Sequence, residues 1–240
     1  MKFAVFGDIH ANLEGFEAVL LDAAANDCTH FLCIGDVVGY NANPRECMQL
    51  LQKLECPVIR GNHDEEASGH NSLEGLNPLA ARAMEWTRDS LTPEDKEWLQ
   101  NLPFVRQIRD FTAVHSTLDS PENWGYVMSK FDALASFSYQ FTQICFYGHT
   151  HHPLVYIKDE GVEQVKKAEI QIEKNRKYFV NVGSCGQPRD GDWRAAYTIY
   201  DVENQVLHNR RIDYDLQKAQ DKIVAAGLPE MLANRLAVGK

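Results

Sequence analysis

Lys2-Phe3-Ala4-Val5-Phe6-Gly7-Asp8-Ile9-His10 opens the chain with a short apolar run that breaks at Gly-Asp. Such a run ending at glycine predicts a buried strand feeding a loop. The pattern returns twice: Phe31–Ile34 runs into Gly35-Asp36, and Pro57–Arg60 runs into Gly61-Asn62-His63-Asp64. Between the first two runs, Asn12 is a fitting N-cap for Leu13, Phe16, Val19 and Leu20 at helical spacing. Asn43-Pro44 opens a second helix, with Cys47, Leu50, Leu51 and Leu54 on one face. Strands and helices alternating at these lengths predict βαβ units and a largely parallel first half. The polar residues after each run then fall at the carboxyl ends of strands, where open α/β sheets bind ligands.

Residues 65–103 read differently. Leu76, Leu79, Ala80, Ala83 and Trp86 have helical spacing, and Thr92-Pro93-Glu94-Asp95 caps a further helix carrying Trp98, Leu99 and Leu102. From Arg109 onward strands are expected at Phe111–Val114, Ile144–Tyr147, Leu154–Ile157, Tyr178–Val182, Ala196–Tyr200 and Val206–Ile212. Their short connections predict antiparallel pairing in a second sheet. The charged residues 158–177 read as an exposed hairpin tip or loop. Leu216–Ala226 and Pro229–Ala237, separated by Gly227, read as terminal helices. The expectation is one α/β domain over residues 1–240, with a helical excursion at about 65–103.

Composition narrows the class. Hydrophobic residues make up 44% and charged residues 24% of the 240, as in ordinary globular proteins. No apolar stretch approaches the roughly 20 residues of a spanning helix. A motif at Gly7 leaves no room for a removable signal, and six cysteines without a C-x-x-C pair fit a reduced, cytoplasmic setting. The formal net charge of −10 argues against non-specific nucleic-acid binding, though not against a nucleotide substrate. No membrane association is expected, and nothing in the sequence sets an oligomeric state.

Five islands carry the chemistry: Gly7-Asp8-Ile9-His10, Gly35-Asp36, Gly61-Asn62-His63-Asp64, Val114-His115 and Gly148-His149-Thr150-His151. Besides Asp64, they supply two carboxylates, Asp8 and Asp36, with one amide and five imidazoles, a donor set suited to Mn, Fe, Ni, Co or Zn, without a thiolate. Two adjacent metals of that kind point to in-line displacement at phosphorus. Asp8-x-His10 on a loop can wrap two ligands onto one ion, and Thr150 lets the rings of His149 and His151 diverge to neighbouring ions. Singly, each island has a plainer reading: Gly-Asp as a turn or cap, His115 as a hydrogen-bonded core histidine, Asn62 as a turn residue. Their joint occurrence in this order favours the metal reading.

These islands, with Gly183-Ser184-Cys185-Gly186-Gln187-Pro188-Arg189-Asp190-Gly191-Asp192, resemble the signature blocks of the calcineurin-like metallophosphoesterase superfamily, in its compact prokaryotic phosphodiesterase-type members. The resemblance implies a two-sheet β-sandwich flanked by helices in four layers, αββα. It implies two divalent ions, with manganese favoured: Asp8, His10 and His151 on the first, Asn62, His115 and His149 on the second, and Asp36 bridging both. It implies that a hydroxide held between the ions attacks a phosphodiester or small phosphate ester, while His63 protonates the leaving group.

Departures from that pattern matter. The eukaryotic-type protein phosphatases read G-D-x-V-D-R-G at the second block, whereas this chain has Gly39 and Tyr40 in place of the aspartate and arginine. Protein-phosphatase activity is therefore a secondary expectation, and Asp64 is the nearest candidate to orient His63, with a backbone carbonyl as the alternative. Ala11 and Ser116 replace glycines without removing a ligand. Arg189, and also Arg45, are candidate phosphate-binding residues because a guanidinium matches phosphate oxygens. Trp124 and Tyr126 are read as packing rather than base-stacking residues, His30, His70 and His208 as structural or exposed, and His152 as a rim residue. The alternatives to a diesterase are a phosphomonoesterase and a non-catalytic metal-binding scaffold. Walker-type, C-x₅-R and nucleophile-elbow motifs are absent from the sequence.

Overall fold

The computed structural model describes residues 1–69, 73 and 75–240. The first elements are β1 (Lys2–Phe6), α1 (Leu13–Ala25), β2 (His30–Cys33), α2 (Pro44–Leu54), α3 (Asn62–Ser68), α4 (Pro78–Ser90) and α5 (Pro93–Gln100). They are followed by β3 (Val105–Ile108), β4 (Phe111–Val114), α6 (Lys130–Tyr139), β5 (Ile144–Tyr147), β6 (Leu154–Lys158) and β7 (Val162–Val165). The chain continues through β8 (Glu169–Gln171), β9 (Lys177–Asn181), β10 (Ala195–Asp201), β11 (Val206–Ile212), α7 (Leu216–Ala225) and α8 (Glu230–Leu236). One sheet has the order β2-β1-β10-β11-β8 and the other β3-β4-β5-β9-β6-β7.

Strand alternation builds the layers, since successive side chains leave a strand on opposite faces. Phe3 and Val5 of β1 meet Ile144 and Phe146 of β5 and Tyr178 and Val180 of β9 in a core between the sheets. Ala4 and Phe6 point the other way, into a cluster with Phe16 and Val19 of α1 and Ile223 of α7. Cys145, Tyr147 and Phe179 face outward onto Ala133 and Phe137 of α6. Each sheet is thus covered on its outer face by helices, giving the four layers expected. Sequence caps set several helix starts: the Asn12 side chain accepts from the Gly15 N–H at 3.0 Å, and Thr92 with Asp95 forms a capping box on α5.

Three expectations are corrected. The run Pro57–Arg60 makes only a single parallel bridge, Cys33 to Val58, rather than a strand. Pairing stops there because the Arg60 N–H donates instead to the Pro103 carbonyl at 2.8 Å. The second half is not a purely antiparallel sheet: β4, β5 and β9 run parallel, and α6 makes the crossover from β4 to β5. Lastly, β10 and β11 leave that sheet and pair onto β1. Among the described residues no helix is long and apolar enough to cross a membrane.

Candidate metal centre

The loops after β1, β2 and β5 meet where strands of both sheets end. Asp8, His10, Asp36, His149 and His151 all take left-handed backbone angles, φ of 48°, 46°, 52°, 64° and 59°. For side chains with a Cβ such angles cost on the order of 1–3 kcal/mol each and persist where surroundings enforce them. The surroundings here are cross-loop hydrogen bonds: Asp8 N–H to Gly35 O, His10 N–H to Asp36 O and Gly148 N–H to His115 O, each 2.9 Å. Asp64 fastens the middle loop, its carboxylate accepting from the backbone N–H groups of Asp36 and Val37 at 2.8 Å and Gly61 at 3.0 Å. Gly61 itself must lack a side chain, because a Cβ would fall 2.1 Å from Asp36 Oδ1.

Two groups of ligand atoms result, each gathered within 4.8 Å: Asp8, His10, Asp36 and His151, and then Asp36, His115 and His149. Asp36 belongs to both. The tautomers follow from the outer hydrogen bonds, because a carbonyl can only accept. His10 Nδ1–H donates to Val38 O at 3.1 Å, His151 Nδ1–H to Gln187 O at 2.5 Å, and His115 Nδ1–H to Ile34 O at 2.8 Å. His149 is reversed: its Nε2 bonds Trp124 O at 2.9 Å, which leaves Nδ1 as its free nitrogen.

Burial pushes His10 and His151 well below the usual imidazole range, so both are neutral. Their Nε2 lone pairs face each other at 3.1 Å, with Asp8 Oδ1 at 3.1 Å from one and Asp36 Oδ2 at 3.5 Å from the other. Four electron-rich atoms converging without a proton between them form a cavity for a cation. The second group differs: without a metal, Asp36 Oδ2 at 3.3 Å from His115 Nε2 favours the charged imidazole there. His115 Nε2 and the Asn62 Oδ1 are buried with no hydrogen-bond partner. Burial opposes charge on His115, yet Asp36 and then Asp8 raise it to about 9, while burial and His115 lower His149 to about 3. Burial likewise opposes charge on Asp36, but His115 and His63 hold it well below the ordinary carboxylate range. The donor set fits divalent transition ions, and outer hydrogen bonds to ligating imidazoles are how such sites fix ring orientation.

His63 stands at the first turn of α3, its ring 4.7 Å from that of His10 and 4.5 Å from Tyr40. Its Nδ1 is buried without a partner. Asp64 does not orient it, since that carboxylate is spent on the loop amides; packing between Tyr40 and His10 does so instead. Arg189 lies beside the centre, with Nη2 donating to Tyr40 Oη at 3.4 Å and to Gln187 Oε1 at 3.0 Å. Arg45 is elsewhere, paired with Asp95 at 2.8 Å. His152 turns back onto Thr150 O, His208 pairs with Glu169, His30 is exposed, and His70 lies outside the described residues.

Sequence reasoning missed Trp124 as a site element. Its carbonyl fixes His149, its ring sits 5.9 Å from that of His115, and neighbouring Tyr126 stacks on His149 at 4.2 Å. Asn181 was also missed; its Nδ2 donates to Gly148 O and Thr150 Oγ1, both at 2.9 Å, and pins the loop of His149 and His151. The one signal for Asn181 was a polar residue closing a buried strand.

Comparison with known proteins bears directly on this geometry. The Calcineurin-like phosphoesterase superfamily domain profile matches residues 1–205. The chain belongs to that superfamily. An uncharacterized protein of Methanocaldococcus jannaschii is 36% identical across 99% of this chain and 98% of its own. The crystal structure of a metallophosphoesterase from Sphaerobacter thermophilus superposes with a TM-score of 0.89 at 36% identity, covering 100% of this chain and 99% of that one. A hypothetical protein from Pyrococcus horikoshii shares the fold, with a TM-score of 0.84 at 18% identity over 100% and 98% of the two chains. As a calcineurin-like phosphoesterase, the chain is a metallophosphoesterase by family, and its buried Asp/His cluster is a candidate metal-binding site.

Proposed function

We propose that this protein is a dinuclear-metal phosphoesterase acting on phosphodiesters or small phosphate esters. The observation that carries the reading is Asp36, the one carboxylate common to both ligand groups. Asp8, His10 and His151 would hold the first ion with Asp36, and Asn62, His115 and His149 the second. Mn is favoured among Mn, Fe, Ni, Co and Zn, all of which suit carboxylate and imidazole donors. When bound, the pair supplies an activated water and positive charge at the phosphoryl oxygens. His63 then has the task of protonating the departing alkoxide. Burial opposes its charge, Asp36 favours it, and Arg189 opposes it again, so the imidazole lies below its usual range before metal and substrate enter. Arg189, half-buried beside His151, is placed to grip a phosphate oxygen.

The hydrophobic core between the sheets draws on strands from β1 to β11, which supports reading residues 1–240 as one domain. All six cysteines are free thiols, five of them buried, which supports a cytoplasmic setting. The test is hydrolysis of bis-p-nitrophenyl phosphate against p-nitrophenyl phosphate under saturating Mn²⁺. The expected result is Mn²⁺-dependent diester hydrolysis that Asp36→Asn abolishes; faster monoester turnover would reassign the substrate class. Absence of turnover on both esters, with two equivalents of Mn²⁺ bound, would leave a scaffold and overturn the reading.

A further inference from the structure

The C-terminal helix brings an arginine to the rim of the metal centre that no family block contains. Arg235, near the end of α8, lies beyond residue 205, where the family profile stops. Its guanidinium is 5.9 Å from the centre of the Tyr40 ring, and that of Arg189 is 5.7 Å from the same ring. Tyr40 in turn packs against His63 and His10, so the two cations share one platform at the edge of the site. The placement is enforced by the fold: the Gly191 N–H donates to Gly239 O at 3.0 Å, fastening the loop of Arg189 to the C-terminal tail.

Two like charges brought together need an explanation. The neighbouring carboxylates turn elsewhere: Asp190 bonds Arg211 through Oδ2, its Oδ1 being buried without a partner, and Asp192 bonds Arg194 at 2.7 Å. Among the described residues no Asp or Glu side chain lies within ion-pair distance of Arg189 or Arg235; Arg189 bonds Gln187 and Tyr40, and Arg235 Nε donates to the main-chain oxygen of Lys240. Burial, and after it the Arg189 guanidinium, disfavours the charge on Arg235. A chain of formal net charge −10 has many side-chain carboxylates, yet among the described residues none pairs with either arginine, and Arg235 is held through Nε alone by the main-chain oxygen of Lys240. That leaves the two Nη groups of Arg235, beside Arg189, to meet an incoming anion with the forked geometry that phosphate oxygens match.

We propose that Arg189 and Arg235, meeting at the Tyr40 ring, form a second anion-binding site that takes a phosphate of the substrate other than the one being cleaved. The proposal rests on the reading that the reacting phosphoryl group sits at the Asp36-centred metals. It makes the preferred substrate a compound with at least two phosphate groups, whether a nucleotide or another phosphorylated metabolite. Arg235 is a specificity residue in this account, since it reaches the distal group and not the reacting one.

The test is calorimetric binding to Mn²⁺-loaded protein in a His63→Asn background, which suppresses turnover. Two ligand pairs are compared: orthophosphate with pyrophosphate, and thymidine 5′-phosphate with thymidine 3′,5′-bisphosphate. The second phosphate is expected to tighten binding by about tenfold or more in at least one pair, as a charge-assisted contact would. Arg235→Gln should reduce that advantage below about twofold, Arg235→Lys should restore part of it, and Arg82→Gln, an exposed charge control paired with Glu85, should keep it whole. An advantage unchanged in Arg235→Gln, or no advantage in the parent, would overturn the proposal. Equal weakening of one- and two-phosphate ligands would also overturn it, marking Arg235 as a packing residue. Because binding is read directly, a protein that shows no hydrolysis would refute the phosphoesterase reading and still give an answer here.

Discussion

Gly39 shows how a single residue sets the arrangement around His63. It holds φ +92°, and a Cβ on it would lie 2.5 Å from His63 Nδ1. Gly39→Ala is therefore expected to push His63 off its seat between Tyr40 and His10 and cut kcat on alkyl phosphodiesters, with metal content unchanged by elemental analysis. A matching loss of bound metal would instead place the damage in the ligand loops. His63→Asn should keep metal yet lose about 10²–10⁴ of the rate on poor leaving groups, and far less on p-nitrophenyl esters, which need little protonation. Parental rates on alkyl esters would remove His63 from the mechanism. At this scale the side chains were legible in the sequence because acid, amide and imidazole at strand ends announce themselves. The partners Ile34 O, Val38 O, Trp124 O and Gln187 O were not, since every residue carries a carbonyl and only the fold decides which one faces a ring. Asp64 misled for a related reason: its neighbour in sequence is His63, but its neighbours in space are loop amides.

At the scale of elements, the loops hold their left-handed residues because other elements fasten them. Asp64→Ala would strand the amide N–H groups of Asp36, Val37, Val38 and Gly61, and a loss of about 3 kcal/mol or more is expected by urea unfolding, with weaker Mn²⁺ binding. Stability within 0.5 kcal/mol of the parent would show that water replaces the carboxylate. A second fastening ties α1 to the first sheet: Asp22 accepts from Tyr197 Oη at 2.5 Å and pairs with Arg210 at 2.8 Å. Burial would raise its pKa, but the Arg210 and Tyr197 hydrogen bonds hold it below the ordinary value of 3.8. The sign follows: the stability Asp22 contributes is present above the unfolded value and is lost as pH falls through the lowered one. Asp22→Asn should flatten that acid limb of the stability curve below about pH 4; an identical limb in the variant would assign it to other carboxylates. Element reading succeeded for α1, α2, α4 and α5, whose apolar stripes and caps agree. It failed for α6, where Phe131 is 82% exposed and Leu134 40%, so the helix shows no clean stripe.

For the whole molecule, the order of strands in space was the least legible feature. Nothing local to Ala195–Asp201 states that it pairs with β1 across nearly the whole chain, and long-range pairing is set by the sum of the cores it completes. The candidate metal centre inherits this dependence, since its residues run from Asp8 to His151 and are braced by Ser184, whose hydroxyl donates to Asp8 O at 2.7 Å. Metal should therefore stabilise the folded chain as a unit. At free Mn²⁺ about 100-fold above Kd, one ion adds about 2.7 kcal/mol, which for a chain of this size raises Tm by about 5–10 °C, reversed by chelator. A Tm indifferent to Mn²⁺ would mean that the cluster does not bind it. The most direct measurement is anomalous diffraction from crystals grown with Mn²⁺. The account predicts two peaks about 3.5–4 Å apart with an Asp36 oxygen between them; a single peak, or a pair that Asp36 does not touch, would contradict it.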